Sequence, residues 1–408
     1  MLIFDILNLI IGTVFLLCYG YQLVYLIIAY SKRPKADPTS PPHRLAVLIA
    51  ARNESRVIHN LLQSLKEQDY PEGYCSIFVV ADNCTDNTAE IAREMGATVY
   101  ERFNKTEVGK GYAIDYLIKS IDRDFGDIYD AYIMFDADNT LKPNYLTEMN
   151  NTFSRGFEVV SSYRNPSNYG ENWRAGGMGM YFLRDSRVLN LARMRLGTNT
   201  YITGTGFLFS RELCKRYGGW PFHCLTEDGE FTMHNAVHNA KCGYCNSAMF
   251  FDEQPVKLRD SWNQQTRWCK GGLQIFKIYL PSLIKGIFSK RWLSYFDTLM
   301  TLTPAYVLSM TAVAVNTLGF IVNILMGHNP LTLIPEILML IGICYFGLIP
   351  FSISITISEW ENICASAPKK ILYMFTFPLF LFTFIPAAFV ALFKKVEWKQ
   401  ISHEGKKN

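Results

Sequence analysis

The chain has 408 residues, of which 49% are hydrophobic, 14% aromatic and only 19% charged. This composition is too apolar for a soluble enzyme of this size, so we expect part of the chain to lie in a membrane. The net charge of +4 is small and no long basic run occurs outside the membrane flanks, which argues against nucleic acid as a partner. The ten cysteines form no disulfide framework, and reduced thiols in a cytosolic domain are the simplest account of them.

The N-terminal stretch, residues 2–30, is apolar for longer than the ~20 residues that a bilayer span requires. It has neither a basic leading region nor a small-residue cleavage site, so we expect residues 1–30 to form a retained transmembrane helix. Lys32, Arg33 and Lys35 follow directly. Because basic flanks stay on the cytoplasmic side, we expect the next part of the chain in the cytosol, in a multi-pass protein of the plasma membrane.

Strand and helix patterns alternate after this helix. Short apolar runs predict strands at residues 45–50, 77–81, 98–100 and 131–135. Helical spacing of apolar residues predicts helices at residues 57–68, 86–95 and 112–121. This alternation predicts an α/β domain with a parallel sheet covered by helices on both faces, which is a nucleotide-binding architecture by analogy of fold alone.

Two carboxylates, Asp136 and Asp138, follow the strand predicted at residues 131–135. They lie at the carboxyl end of that strand, where open α/β sheets bind ligands. Such a pair can hold Mg²⁺ or Mn²⁺ between protein and phosphate, because these ions take carboxylate and phosphate oxygens together. Taken alone, an Asp-x-Asp pair is more often a solvated turn after a strand.

Later motifs allow two interpretations each. Residues 203–207 carry two glycines that permit close approach of the backbone to a ligand, although a bulge or a tight bend explains them equally well. Glu227 and Asp228 open a helix predicted at residues 229–240, where acidic residues are favourable against the helix dipole. The glycine cluster at residues 176–179 lacks the strand-loop-helix setting of a phosphate loop.

Residues 261–289 form an amphipathic stretch that fits helices lying in the membrane interface. Gln264, Arg267 and Trp268 lie near its start. Without further context, Arg267 and Trp268 would serve only as anchors at the lipid headgroups.

Three long apolar segments follow, at residues 294–326, 331–357 and 371–393. If all three cross, the basic tail at residues 394–408 ends outside, against the positive-inside rule. Pro378 and Pro386 interrupt the third segment, and broken helices at membrane depth are tolerated only against protein or a water-filled cavity. We therefore expect two or three spans within residues 294–393, the last either crossing or re-entrant.

The joint order of these motifs is more specific than any one of them. In chain order they are Asp82, Asp136-x-Asp138, Thr226-Glu-Asp228 and Gln264-x-x-Arg-Trp268. This order resembles the family 2 glycosyltransferases, specifically the membrane-embedded processive branch of cellulose, hyaluronan, poly-N-acetylglucosamine and mixed-linkage glucan synthases. The resemblance covers residues 45–290. It implies a cytosolic GT-A (nucleotide-diphospho-sugar transferase) domain with a mostly parallel sheet at residues 31–260, interfacial helices at residues 261–293 and an α-helical transmembrane domain.

The resemblance also assigns roles on the donor side. Glu54 and Asp82 match residues that hold the uracil and ribose of a UDP-sugar. Lys110 matches a position near the nucleotide, and Asp136 one near the donor sugar. Asp138 matches the ligand of the Mg²⁺ or Mn²⁺ ion on the diphosphate.

On the acceptor side, the resemblance makes Asp228 the catalytic base. Glu227, Gln264 and Trp268 match residues that bind the acceptor, and Arg267 matches one that binds the pyrophosphate. The chemistry fits these residue types. An inverting transfer needs one base for the acceptor hydroxyl and a cation for the departing diphosphate, and an indole face suits a pyranose ring.

These roles predict a processive inverting hexosyltransferase that polymerises a UDP-hexose, first of all UDP-glucose, into a β-linked extracellular polysaccharide and exports it through its membrane helices. A UDP-N-acetylglucosamine polymerase and a non-processive transferase with a lipid acceptor are the alternatives. A small-solute transporter is disfavoured by the few spans and the lack of an internal repeat. The expected partners are the UDP-sugar, the growing polysaccharide and the lipid bilayer, and the sequence leaves the oligomeric state open.

Two departures concern the product. The sequence has no clear match to the F-x-V-T-x-K gating loop of cellulose synthases or to the W-G-T-R tail of hyaluronan synthases, although residues 397–399 occupy a similar place. It also has no room for the regulatory cyclic-dinucleotide domain of many cellulose synthases. Both weaken an assignment to cellulose itself.

Overall fold

The computed structural model of the protein describes residues 2–32, 37–302 and 304–396. The chain begins with an apolar helix that is broken once, into α1 (Leu2–Tyr19) and α2 (Tyr21–Tyr30). A Cβ on Gly20 would lie 2.6 Å from the carbonyl oxygen of Leu16. The helix expected at residues 1–30 is therefore interrupted at a position where only glycine fits, although the N–H of Gly20 still donates to the carbonyl of Leu16 at 2.7 Å.

An α/β domain follows. Its strands are β1 (Leu45–Ala51), β2 (Cys75–Asp82), β3 (Thr98–Arg102), β4 (Ala131–Asp136), β5 (Thr140–Leu141), β6 (Val159–Pro166), β7 (Phe207–Ser210) and β8 (Cys242–Asp252). They form one sheet in the order β3-β2-β1-β4-β7-β6-β8-β5. β1, β2, β3 and β4 are mutually parallel, as are β6 and β8, whereas β7 and β5 run antiparallel to their neighbours. The predicted α/β fold with a mostly parallel sheet is confirmed.

Helices cover both faces of the sheet because their apolar residues recur with the helical period. They are α3 (Ile58–Lys66), α4 (Thr88–Glu94), α5 (Lys110–Phe125) and α6 (Tyr145–Phe153). In α3, the buried residues Ile58, Leu61, Leu62 and Leu65 lie on one helix face. Each such side chain contributes roughly 1.5–3 kcal/mol when fully buried. Alternate residues of β1 face α3 on one side of the sheet and α5 on the other.

The parallel arrangement places the carboxyl ends of β1, β2 and β4 at one edge of the sheet. In the register, Ala50 pairs with Asp136 and Ala51 pairs with Ala81, so Asp82 and Asp136 flank the end of β1. The first turn of α5 lies at the same edge. It packs closely on the segment before Glu227, since a Cβ on Gly111 would lie 2.0 Å from the carbonyl oxygen of Phe222.

The second half of the domain is rich in helices. They are α7 (Trp173–Arg184), a π-helix (Asp185–Asn190), α8 (Leu191–Leu196), α9 (Arg211–Arg216), α10 (Glu227–Val237), α11 (Leu258–Ile287) and α12 (Trp292–Leu302). The glycine cluster at residues 176–179 lies inside α7. A Cβ on Gly176 would come within 2.3 Å of Tyr373, and one on Gly177 within 2.4 Å of Phe380. The cluster therefore permits close helix packing rather than phosphate binding.

The interfacial stretch expected at residues 261–293 is a single helix of 30 residues, α11, followed by the start of α12. Phe288 and Trp292 are exposed where the two helices meet. Lys285 and Lys290 are exposed beside them. Exposed apolar and basic side chains together fit the predicted position at a membrane surface.

Within the described ranges, four helical segments are long and apolar enough to cross a membrane: Ile3–Tyr30, Val307–Leu325, Leu331–Ser358 and Ala367–Phe393. They comprise α1 with α2, α13 (Pro304–Leu325), α14 (Ile334–Ser358) after a 3₁₀ turn (Pro330–Leu333), and α15 (Ala367–Phe382) with α16 (Phe384–Phe393). Most of α12 and all of α13 fall in the apolar segment expected at residues 294–326. α12 belongs to the domain interface because its Asp297 is 1% exposed and pairs with Arg193 of α8 at 2.7 Å.

The last apolar element breaks at Thr383, between α15 and α16. Pro386 explains the position, because it has no N–H for the carbonyl of the residue four places earlier, where α15 ends. Pro378 lies inside α15 without ending it. Both ends of the segment formed by α15 and α16 make hydrogen bonds to residues outside the candidate membrane spans. Lys369 Nζ donates to the carbonyl of Gly170 at 2.5 Å, and Lys270 Nζ of α11 donates to the carbonyl of Ala391 at 3.0 Å.

Polar pairs join the membrane helices to each other and to the domain. Asn8 of α1 and Asn316 of α13 exchange two hydrogen bonds, at 3.0 and 2.9 Å. Glu359, after α14, pairs with Arg187 of the π-helix. The basic flank at Arg33 and Lys35 and the tail from residue 397 onward lie outside the described residues.

Candidate active site

A cavity of about 200 Å³ opens at the carboxyl edge of the sheet. We call it the donor cavity. The side chains that the sequence singled out all border it: Glu54, Asp82, Lys110, Asp136, Asp138, Glu227, Asp228, Gln264, Arg267 and Trp268. They come from strand ends, from the starts of α5 and α10 and from the first half of α11. The fold therefore brings the predicted residues together, and their individual roles stay predictions.

Asp136 is held from several sides. Its backbone N–H donates to Thr205 Oγ1 at 2.8 Å and to Asn139 Oδ1 at 3.2 Å. Its carboxylate accepts a hydrogen bond from Lys110 Nζ at 2.5 Å, and the same ammonium donates to the carbonyl of Gly204 at 2.7 Å. Burial lowers the pKa of Lys110, but the nearby carboxylates raise it by more, so the ammonium stays charged.

Asp136 pairs with Lys110, and the role of Asp138 as the metal ligand stays a prediction. Asn139 Nδ2 donates to Asp138 Oδ1 at 3.1 Å, which helps to orient the carboxylate. In the described part of the chain, no three His, Cys, Asp or Glu side chains cluster as a complete metal site. An ion at Asp138 would complete its shell with diphosphate and water oxygens, as Mg²⁺ commonly does. This donor set fits Mg²⁺ or Mn²⁺.

Asp82 is 5% exposed and fixed by Arg102, which is 6% exposed. Arg102 Nη1 donates to Asp82 Oδ1 at 2.7 Å, and Asn83 Nδ2 donates to the same oxygen at 3.1 Å. Both bonds use one carboxylate oxygen, so the other can accept from a ligand in the cavity. Glu54, three residues after β1, lines the same cavity, and its backbone N–H donates to Thr88 Oγ1 at 2.9 Å.

Glu227 and Asp228 occupy the first turn of α10. Lys110 Nζ lies 3.9 Å from Glu227 Oε1, and a Cβ on Gly204 would lie 3.6 Å from Asp228 Oδ2. Burial raises the pKa of Glu227 to about 7, with Lys110 opposing this rise and Asp228 adding to it. Burial also raises the pKa of Asp228, against the attraction of Lys110. A cavity carboxylate whose pKa is raised towards neutrality suits a general base.

Gln264, Arg267 and Trp268 lie on one face of α11, as their spacing of three and four residues requires. Arg267 Nη1 donates to the carbonyl of Leu225 at 2.9 Å, which ties α11 to the segment before the Glu227 helix. Gln264 Oε1 is buried and, among the residues described, accepts no hydrogen bond. Because an unpaired buried acceptor is costly, a ligand hydroxyl is its expected partner.

Trp268 forms an aromatic triplet with Tyr181 of α7 and Phe384 of α16. Its ring centroid lies 6.4 Å from each of the other two, with interplanar angles of 28° and 20°. The triplet joins the donor cavity to helices that contact the membrane segments. The Trp268 end of the cavity is therefore next to helices that pack against the candidate membrane spans.

Sequence reasoning missed several residues that border the donor cavity. Arg164 lies two residues before the end of β6, and its Nε donates to Asp252 Oδ2, at the end of β8, at 2.9 Å. Arg52 and Glu253 also line the cavity, as do Thr203 and Gly204 of the stretch at residues 203–207 that the sequence had indicated. Arg164 and Asp252 could have been found by extending the rule that ligands bind at carboxyl ends of strands to the irregular second half.

The fold and the site together define the class of this protein. A mostly parallel sheet whose carboxyl edge presents Asp-x-Asp beside a ligand-sized cavity is the GT-A arrangement. Residues 41–271, more than half of the chain, match the family model described as "Glycosyltransferase like family 2". The chain belongs to this family, which confirms the predicted family, the glycosyltransferase activity and the GT-A fold.

Similar proteins differ in their acceptors. The chain is 25% identical to a β-monoglucosyldiacylglycerol synthase of Synechocystis sp. over 90% of its own length and 76% of that protein. It is 24% identical to a poly-β-1,6-N-acetyl-D-glucosamine synthase of Staphylococcus epidermidis over 68% of its length and 67% of that protein. Against two further β-monoglucosyldiacylglycerol synthases it spans only 57% of their length.

A solved structure shares the fold across nearly the whole chain. It is a mannosyltransferase from Pyrobaculum calidifontis in complex with GDP-Man and Mn²⁺, with a TM-score of 0.62 and 16% identity. The match covers 96% of this chain and 99% of that one. The likeness therefore includes helices beyond the α/β domain.

Proposed function

We propose that the protein is an inverting glycosyltransferase that moves a hexose from a UDP-sugar, with UDP-glucose the first donor to test, to a hydroxyl group of a membrane lipid. The observation that carries the proposal is the position of the donor cavity. Its acceptor end is formed by the aromatic triplet, on α7, α11 and α16, and these helices border apolar membrane segments.

On the donor side, Asp82 and Glu54 would hold the nucleoside, and Asp138 a divalent cation on the diphosphate. A bound Mg²⁺ or Mn²⁺ supplies positive charge beside the diphosphate. Lys110 and Arg267 add fixed positive charge at the same cavity. Because these cations are oriented before reaction, they stabilise the charge that develops on the departing UDP.

In the transfer itself, Asp228 would accept the proton of the acceptor hydroxyl. The hydroxyl oxygen then forms a bond to the anomeric carbon as the bond from that carbon to the diphosphate breaks, and UDP leaves with the electron pair. Glu227, whose carboxyl has a pKa near 7, lies next to this base. Gln264 Oε1 and the Trp268 indole would position the acceptor.

The lipid acceptor is favoured by the surroundings of the aromatic triplet. The space beyond it is polar only at one end, near Gln22, Arg184 and Asp185, and is otherwise lined mostly by leucine, isoleucine, phenylalanine and similar side chains. A sugar polymer would need polar groups along its whole route. The Synechocystis relative, which aligns over 90% of this chain, is named for transfer to a diacylglycerol. The lipid bilayer is then both the solvent of the membrane helices and the source of the acceptor.

A second candidate is processive synthesis of a β-linked polysaccharide from UDP-glucose or UDP-N-acetylglucosamine, with export through the membrane helices. Trp268 favours it, because a broad indole face suits the terminal sugar of a growing chain. The Staphylococcus epidermidis relative, a polymer synthase by name, also supports it.

The test uses the full chain, purified into lipid nanodiscs with Mn²⁺ or Mg²⁺ and given one labelled sugar nucleotide at a time. We expect label from a UDP-hexose in a product that extracts into organic solvent as a glycolipid. Label only in a water-soluble polymer that a linkage-specific glycosidase digests would favour the second candidate. No turnover with any sugar nucleotide would overturn both.

Asp228→Asn supplies the control for the chemistry. It removes the base but keeps the size of the side chain, so we expect transfer to fall by about 10²–10⁴-fold while UDP affinity is retained. Asp69→Asn, at an exposed position outside the cavity, is the matched control and should leave transfer unchanged. Transfer at a normal rate by Asp228→Asn would exclude this residue as the base.

A further inference from the structure

A large apolar cavity lies between the membrane helices, next to the aromatic triplet. We call it the intramembrane cavity. One part has a volume of about 280 Å³ and the adjoining part about 560 Å³. The two parts share lining residues, among them Phe15, Ile343 and Ile385. Val313, Phe320 and Ile341 line the outer part and are exposed, so the cavity opens to the surroundings of these helices, and its apolar walls favour an apolar occupant.

The end of this cavity nearest the donor cavity is polar. Asp185, the first residue of the π-helix, lines it and is only 6% exposed. Among the described residues, its carboxylate takes part in no hydrogen bond or close ion pair, and burial raises its pKa. π-Helical segments inside α-helices occur frequently at functional sites. A buried carboxylate without a partner is unfavourable, so a hydroxyl donor from a ligand would stabilise it.

Two tyrosines connect this polar end to the catalytic base. Burial raises the pKa of the Tyr181 phenol, and the carboxylates of Asp185 and Asp228 both add to the rise. Burial and the same two carboxylates also raise the pKa of the Tyr201 phenol. A Cβ on Gly229, the residue after Asp228, would lie 3.3 Å from the Tyr201 hydroxyl, so this phenol lies beside the base. Tyr181 also lines the intramembrane cavity and stacks on Trp268 of the donor cavity.

We propose that the intramembrane cavity binds the hydrocarbon part of the acceptor lipid, with the headgroup against Asp185 and Tyr181 and its reactive hydroxyl at Asp228. The inference rests on the proposed transfer to a lipid and adds where that lipid sits and which side chains select it. None of these contacts is needed to bind the sugar nucleotide. Donor binding and lipid binding are therefore separable by experiment.

The charges at the polar end select the class of lipid. Arg184 and Asp185 are the charged residues that line the cavity among those described, and their formal charges cancel. Arg193 and Arg164 also act on Asp185, but each is paired with another carboxylate, Asp297 and Asp252. Arg184 Nη2 already donates to Gln22 Oε1 of α2 at 2.5 Å. A lipid phosphate would meet the Asp185 carboxylate without a surplus cation, and like charges repel at short range. The expected headgroup is therefore an uncharged alcohol, as in a diacylglycerol, rather than a phosphate, as in a polyprenyl phosphate.

Two glycines of α14 provide a matched pair of variants. A Cβ on Gly347 or on Gly342 would meet no atom within 4 Å, so either position accepts a larger side chain. Only Gly347 lines the intramembrane cavity. We expect Gly347→Phe to lower kcat/KM for dioleoylglycerol by about tenfold or more, whereas Gly342→Phe stays within about twofold. UDP affinity should be unchanged in both variants.

Asp185→Asn tests the polar end with a side chain of the same size. We expect it to raise the KM for dioleoylglycerol by about tenfold, because the headgroup loses a hydrogen bond to a charged group. UDP affinity and its metal dependence should match the wild type. A readout without activity is labelling by a photoactivatable dioleoylglycerol analogue, which should crosslink to cavity-lining peptides in wild type and Gly342→Phe but not in Gly347→Phe.

The outcomes separate this inference from the proposed function. Equal transfer and equal labelling in Gly347→Phe and Gly342→Phe, with wild-type transfer to lipid intact, would overturn the inference alone. Preference for undecaprenyl phosphate over dioleoylglycerol would overturn the headgroup assignment. Labelling of the cavity without sugar transfer to any lipid would support the cavity as a lipid site and overturn the proposed function. Polymer as the sole product, without labelling, would overturn both.

Discussion

Asp136 and Asp138 are two residues apart but have different neighbours, since Lys110 donates to Asp136 at 2.5 Å. Substitution of Asp138 by alanine should therefore remove the metal ligand and leave the Lys110 pair in place. We expect the Mn²⁺-dependent affinity for UDP to fall by at least about tenfold. Calorimetric titration of UDP with and without Mn²⁺ measures this.

The matched control is Asp69→Ala, whose side chain is exposed and outside the donor cavity. It should bind UDP as the wild type does, with the same dependence on Mn²⁺. If Asp138→Ala kept the full metal dependence, the metal site would have to lie on other residues.

The pH dependence of transfer reports on Glu227 and Asp228. Burial and the charge of Asp228 raise the pKa of Glu227 to about 7, and burial raises the pKa of Asp228. As the pH falls through this region the pair takes up a proton, and transfer slows to the extent that the proton resides on Asp228. Glu227→Gln removes the neighbouring negative charge and so lowers the pKa of Asp228. We expect the acid limb of kcat/KM to move to lower pH; a limb that stays in place or moves to higher pH would contradict this coupling.

At the scale of elements, the contact of α7 with α15 depends on glycine. A Cβ on Gly177 would already lie 2.4 Å from Phe380, so Gly177→Leu must push the two helices apart. We expect a loss of stability of about 1–3 kcal/mol. Thermal unfolding followed by tryptophan fluorescence measures it. Gly342→Leu, which meets open space, is the control, and equal midpoints for the two variants would show that this contact is unimportant.

Elements were predictable where the hydrophobic period was regular. β1, β2, β4 and α3 follow from apolar runs and helical spacing, and their observed bounds differ from the predicted ones by only a few residues. The antiparallel β7 was not predictable, because strand direction depends on a long connection rather than on local pattern. The glycines of α7 gave no usable signal either, since the aromatic side chains that require them come some 200 residues later.

At the scale of the whole molecule, the contacts of α15 and α16 bear on topology. Both ends of this element touch the α/β domain side, through Gly170 and through Lys270 of α11. We therefore expect it to lie along the cytosolic face without crossing the membrane, which keeps the basic tail inside and agrees with the positive-inside rule. A protease-cleavable tag at the C-terminus should be cut in inside-out vesicles and protected in intact cells.

A second tag inserted after Gly327, between α13 and α14, serves as the control. The inserted tag lies at the end of α14 opposite to Glu359. Glu359 pairs with Arg187 of the α/β domain, so we expect its end of α14 on the cytosolic side. The inserted tag should therefore be cut only from outside. Cleavage of the C-terminal tag only from outside would show that α15 and α16 cross the membrane.

The donor cavity was predictable in its membership but not in its surroundings. Asp82, Asp136 and Asp138 follow apolar strands, and parallel strands end at one edge, so their meeting follows from the pattern. The aromatic triplet did not follow from the sequence, because Tyr181 and Phe384 carry no motif and meet Trp268 only through tertiary packing. The expectation of a polymer channel rested on motif order, which does not report whether the space beyond Trp268 is polar or apolar.

The hydrogen-bonded pair of Asn8 and Asn316 has a consequence for biosynthesis. The two residues are 308 positions apart, so α1 is made long before its partner on α13. At about 5–20 residues per second, the first helix waits on the order of 15–60 s with a polar side chain that has no partner of its own chain within the bilayer. The ribosome completes the catalytic domain during this interval, and the space between the membrane helices can close only afterwards.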